Sequence, residues 1–158
     1  MEQPHRFRVV AWWASGHTGI AKSSSALNAI HFTSPPAFGG MEGRWTPEEL
    51  LLSAIASCYT TTFQTLAENS KFAYIDLQVE VEGEIRKSEV QYDFGEVVIR
   101  ANLLIPLAAE PSLAAKLLQK ADGVCLVSRA LSVKHKFEFH VQTGTARAET
   151  APPLAVPH

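Results

Sequence analysis

The sequence predicts an α+β protein in which antiparallel sheets cover two helices. Three observations predict it. A long helical segment starting at Thr46 is apolar almost all round over its first half. Residues 75–86, 96–105 and 132–142 each alternate apolar and polar side chains as half-solvated strands do. A shorter helical pattern at 110–123 separates the last two of these stretches.

Composition bounds the function classes. The chain has 158 residues, of which 46% are apolar and 19% charged, so it is long and apolar enough to bury a core and is not a disordered chain. The formal net charge of −2 leaves no basic surface for a phosphate backbone, and nucleic-acid binding is not expected. No apolar run reaches the roughly 18 residues of a membrane helix. The first residues, Met1-Glu2-Gln3-Pro4-His5, lack an apolar signal core. A cytoplasmic protein with no membrane partner is the expectation. One domain is expected over residues 1–143, followed by a mobile tail at 144–158 rich in alanine and proline.

Taken in order, Phe7–Ala14 reads as a strand ending at the turn Ser15-Gly16-His17-Thr18-Gly19. Trp12 and Trp13 are adjacent and point to opposite faces, one toward the core. Short strands follow at 19–24 and near 26–32. Residues 33–46, with Pro35-Pro36, Gly39-Gly40 and Gly43, form a long loop, a length often tied to function. Thr46-Pro47-Glu48-Glu49 is a capping box with proline at the first helical position, and its helix runs to about Asn69. A helix without a polar face needs cover on several sides, from a sheet or from a second chain. The alternating stretches 75–86 and 96–105 make a hairpin joined through the polar segment between Lys87 and Phe94. The second helix has Pro111 at its start and Asp122-Gly123 at its stop. Val124–Leu131 makes a further short helical turn before the last strand.

Two cysteines, Cys58 and Cys125, carry the chemistry that the chain offers. They share no zinc-ligand spacing, and the plain alternative is two buried thiols acting as small hydrophobes. Cys58 lies mid-helix, where burial raises a thiol pKa and the macrodipole has faded. A reactive Cys58 therefore needs help from elsewhere, and Arg44, His17 and Arg129 are the candidate cations. Cys125 has the better local setting, since it follows Gly123 and opens a short helical turn with free N–H groups. Glu49 is absorbed by the capping box. Glu48 is either a dipole-favoured acid or a site residue. It precedes Cys58 by ten residues, about 15 Å along a straight helix. Sharing a site with Cys58 would take a break in the helix or a glutamate from a partner chain. His135 and His140 fall on opposite strand faces and make no metal pair, and His5, His31 and His158 read as surface. There is no Gly-x-Ser-x-Gly, dinucleotide or P-loop motif.

Two segments resemble the OsmC/Ohr family of thiol-dependent peroxidases. Thr46-Pro47-Glu48-Glu49-Leu50 through Ala56-Ser57-Cys58 is similar to the family's Asn-Pro-Glu-x-Leu…Ala-Cys stretch, with the same Glu-to-Cys spacing. Val124-Cys125-Leu126-Val127-Ser128 is similar to its Val-Cys-Pro-x-Ser stretch, with Leu126 in place of proline. The resemblance covers roughly residues 7–143. It implies an OsmC-like fold, antiparallel sheets wrapped around two central helices in an intertwined homodimer, with sites at the subunit interface. It implies that Cys58 is the peroxidatic cysteine and Cys125 the resolving one. Glu48 would match the glutamate that helps hold a catalytic arginine, and His17 stands where that arginine is expected. The implied partners are an organic hydroperoxide and an external dithiol reductant, and the implied chemistry needs no cofactor and no metal. The alternative is a non-catalytic OsmC-like dimer that binds an apolar small molecule at the subunit interface.

Overall fold

A computed structural model describes residues 4–145. Residues 146–158 of the expected tail, including His158, lie outside the described residues. The chain divides into two units, Met1–Leu51 and Leu52–His158. No helix among the described residues is long and apolar enough to cross a membrane.

The first unit holds a three-stranded antiparallel sheet. Strands β1 (Val9–Ser15), β2 (Thr18–Ser23) and β3 (Ile30–Phe32) lie in that order. The β1–β2 hairpin turns at Gly16 and His17, with Ser15 opposite Thr18. Gly16 sits at φ 54°, the left-handed value that a two-residue hairpin turn asks of its first central residue. The Trp13 indole N–H donates to the Gly16 carbonyl and closes the turn. Both tryptophans are exposed, Trp12 at 47% and Trp13 at 56%. The expectation that one of them enters the core fails because β1 is an edge strand whose seven residues are all exposed.

The loop after β3 folds around one hydroxyl. Thr33 is fully buried, donates to the His17 carbonyl at 2.7 Å, and accepts from the Met41 amide at 3.1 Å. Gly40 passes so close to the Ser34 carbonyl that an added Cβ would lie 1.5 Å from its oxygen. The loop ends in the capping box read from the sequence. The Thr46 amide donates to Glu49 Oε2 at 2.8 Å, and the Glu49 amide donates to Thr46 Oγ1 at 3.2 Å. Two orphan amides at the helix start are satisfied reciprocally.

Helix α1 runs unbroken from Pro47 to Asn69. Its threonines stay helical because Thr60, Thr61 and Thr65 turn their hydroxyls onto carbonyls one turn back. Ile55, Tyr59, Phe63 and Ala67 form a stripe at four-residue spacing that is 1% exposed or less.

In the second unit, β4 (Asp76–Lys87) and β5 (Tyr92–Pro106) form the expected antiparallel hairpin. Helix α2 (Pro111–Val124) and the five-residue α3 (Leu126–Ala130) follow, then β6 (His135–Gly144). The last strand pairs with β5 in parallel, with Val97 opposite His135 and Ala101 opposite Phe139. This sheet is therefore mixed rather than wholly antiparallel. The helical segment between β5 and β6 supplies the crossover that a parallel pair requires. The core gathers the α1 stripe, Val97, Ile99, Ala101, Leu103 and Ile105 of β5, Leu117 and Leu118 of α2, and Cys125. Gly123 does not stop α2: it has no left-handed φ, and the helix ends where Cys125 turns extended at φ −60°, ψ 115°.

Phe63 is fully buried and meets Tyr74 edge to face at 5.3 Å. Phe63→Ala should cost about 3–5 kcal/mol, the usual loss for emptying an aromatic core position. Urea unfolding checks it through a lower midpoint at unchanged slope.

Candidate functional site

Cys58 lies in the middle of α1, between the buried Ile55 and Tyr59, and is itself only half-buried. Cys125 is fully buried at the corner where α2 ends and α3 begins. The fold brings the two together, and both are free thiols. Hydrogen bonding by the Val127 and Leu126 amides, the Cys125 thiol and the Thr62 hydroxyl favours the Cys58 thiolate.

Burial pushes the Cys58 thiol up, and it is the largest single influence. The four hydrogen bonds together outweigh it, so the net shift is downward. Leu126 and Val127 open α3, where backbone amides have no partner inside the helix. The expectation that these amides serve Cys125 is reversed: they face the sulfur of Cys58. The influences that lower the Cys58 thiol are hydrogen-bond donors. Since folding lowers this pKa, the contacts stabilise the fold above the pH at which an unfolded thiol ionises. That contribution is lost as pH falls through the folded value.

Cys125 is held through its backbone. Its carbonyl accepts from the Ser128 hydroxyl and from the Arg129 amide, both at 3.2 Å. As the residue before α3, it gives its carbonyl to the first helical hydrogen bond. Tyr59, next to Cys58, donates its hydroxyl to the Leu118 carbonyl at 3.0 Å and ties α1 to α2. Its ring lies 5.4 Å from that of Phe137 on β6. Burial, with Asp122 and Cys125 nearby, pushes the Tyr59 phenol far up, so it stays a neutral donor.

Arg129 occupies the last turn of α3, exposed, at the end remote from the donating amides. Within the first unit, His17 is exposed in the β1–β2 turn and Arg44 is exposed in the loop before α1. Glu48 is half-buried, and its Oε2 atom is shielded with no hydrogen-bond partner among the described residues. Because α1 is continuous, a break between Glu48 and Cys58 is ruled out. Among the described residues no group of three or more His, Cys, Asp or Glu could hold a metal ion.

Sequence reasoning missed three of the four donors. Thr62 sits one helical turn after Cys58, and that spacing could have singled it out. The Leu126 and Val127 amides carry no side-chain signature.

The amide contribution can be tested without disturbing the backbone. Leu126 is the first residue of α3, where proline is tolerated, and Cys125 already has the extended conformation that precedes proline. Leu126→Pro deletes one N–H donor. Iodoacetamide should alkylate Cys58 at pH 7 about fivefold more slowly in Leu126→Pro than in Leu126→Ala, the equivalent of one hydrogen bond of about 1 kcal/mol. Equal rates would show that this amide does not hold the thiolate.

Comparisons with known proteins agree with this architecture. The family model described as OsmC-like protein matches residues 40–140. The uncharacterized protein YmaD of Bacillus subtilis is 28% identical over 145 residues, covering 89% of this chain and 97% of that protein. The fold is similar to that of an OsmC-like protein of unknown function from Vibrio cholerae, with a TM-score of 0.76, 15% identity, and coverage of 87% of this chain and all of that one. It is also similar to an organic hydroperoxide resistance protein from Elizabethkingia anophelis, with a TM-score of 0.71, 20% identity, and coverage of 91% of this chain and all of that one. The match spans both cysteine segments and all three helices, and the chain belongs to the OsmC-like protein family.

Proposed function

We propose that this protein is a thiol-dependent peroxidase that reduces organic hydroperoxides. The observation that carries this reading is that two free thiols, Cys125 in the core and Cys58 packed against it, share one cluster; donors around Cys58 lower its thiol. The Cys58 thiolate attacks the outer oxygen of ROOH. The O–O bond breaks, Cys58 becomes a sulfenic acid, and the departing alkoxide takes a proton to leave as ROH. The Cys125 thiolate then attacks the Cys58 sulfur and expels hydroxide, which takes up a proton as water. A Cys58–Cys125 disulfide results. An external dithiol reduces that disulfide by exchange and is itself oxidised. No cofactor enters these steps. An organic substrate is favoured over hydrogen peroxide because its tail gains about 0.8 kcal/mol for each CH₂ buried against apolar walls.

The working form in this proposal is a cytoplasmic homodimer. Exposed Val9, Val10, Trp12 and Trp13 on β1 offer apolar surface for a second copy. The unpartnered Glu48 oxygen asks for a donor, and a second chain is the remaining route by which Glu48 could share a site with Cys58. The resemblance puts His17 where the family's arginine is expected, and this favours one competing reading: a dimer that binds an apolar ligand without turnover.

Titration of the reduced protein with cumene hydroperoxide separates the two. The peroxidase reading expects loss of two thiols per chain and a Cys58–Cys125 disulfide by peptide mapping. An unchanged thiol count, together with a rise in melting temperature on adding apolar acids, would install the binding reading instead. His17→Arg is a further test. A guanidinium near the thiolate should lower the Cys58 pKa further and speed its reaction with hydroperoxide, as read by stopped-flow.

A further inference from the structure

We propose that Asp122 and His135 form a positioning pair that holds Cys125 ready to close on Cys58. The purpose of that closure rests on the peroxidase reading, but the placement does not. Asp122 lies in the last turn of α2, three residues before Cys125. An acid there opposes the helix dipole, and α2 has no basic residue in that turn to offset it. Its partner comes from across the fold. His135, the first residue of β6, places its Nε2 atom 2.8 Å from Asp122 Oδ1.

Both side chains are about three-quarters shielded, 25% and 23% exposed, so the contact is less screened than a surface ion pair. Its surroundings connect it to the thiols. His135 lines a small cavity together with Ser128, the α3 residue whose hydroxyl donates to the Cys125 carbonyl. Two residues along β6, Phe137 meets the ring of Tyr59, the neighbour of Cys58. Tyr59 in turn donates to Leu118, one turn before Asp122 on α2. The pair therefore pins the end of α2 to β6 at the point where the chain turns into Cys125. Cys125 both ends α2 and starts α3, so any fraying of that last turn moves the resolving sulfur and the donating amides together.

Diamide supplies a test that does not depend on peroxidase activity. It adds to one thiol as a sulfenyl hydrazine; the second thiol displaces the hydrazine and closes the disulfide. The closing step is first order, and acid quenching with mass spectrometry follows it separately from adduct formation. Asp122→Ala should slow closure about fivefold or more, the loss expected from one partly buried hydrogen bond. Asp122→Asn keeps an acceptor for the His135 N–H and should restore closure to within about twofold of the parent. A residue that only adds stability would slow neither step in protein that circular dichroism shows to be folded. Closure in Asp122→Ala at the parent rate, or Asp122→Asn no faster than Asp122→Ala, overturns the proposal. Should Asp122→Ala fail to fold, His135→Ala carries the same expectation and the same refutation. Cumene hydroperoxide on the parent protein forms the second arm. If it leaves the thiols intact while diamide closure still depends on Asp122, the peroxidase reading fails and the positioning pair stands.

Discussion

Packing of the α1 stripe into the common core is the interaction on which the rest of this structure depends. Cys58 is embedded in a helix whose neighbouring positions are core, and burial alone would leave it protonated and inert. The donors that reverse this come from Leu126, Val127 and Cys125, which are remote in the chain, and from Thr62 nearby. Their placement rests on the packing beneath them. Tyr59 bridges to the α2 backbone, Leu117 and Leu118 enter the common core, and Phe137 closes the ring from the last strand. The core is thus what aims the amides.

The two halves of the chain solve the problem of cover differently. In the second unit, β5 buries alternate residues from Val97 to Ile105 almost completely, while the opposite face carries charges. Arg100 there meets Glu80 and Glu82 on β4 and Glu138 on β6. These contacts are exposed and contribute little stability, but they match the strand register across the sheet. In the first unit, β1 exposes its valines and tryptophans, so its sheet has an uncovered apolar strand at its edge.

What could be read from the sequence was local. The capping box at Thr46 and Glu49 involves neighbouring residues and formed as its spacing indicates. The β4–β5 hairpin and the extent of α1 follow from periodicity, and their ends fall within a residue or so of the expected ones except at the start of β5, which lies at Tyr92, four residues ahead of the expected 96. What could not be read depended on tertiary placement. Nothing in 132–142 distinguishes a strand that pairs in parallel from one that pairs antiparallel, since both alternate. One of Trp12 and Trp13 reads as a core residue until β1 proves to be an edge. Of the site, the cysteines and their meeting came from resemblance, whereas the donating amides belong to the backbone and leave no trace in residue identity. The Asp122–His135 contact joins a helix end to a strand start, and neither residue's place in the sequence points to the other.

The parallel pairing of β5 with β6 has a kinetic side. Antiparallel neighbours can zip from a tight turn, but this pair must wait for the whole helical excursion between them to fold back, the kind of distant contact that slows folding. Cys125 rides on that excursion. A nascent chain that has made only α1 and its hairpin carries Cys58 as an ordinary sluggish sulfhydryl, because the groups that sharpen it have not arrived. The lowering of the Cys58 thiol thus depends on the same excursion that completes the parallel pair.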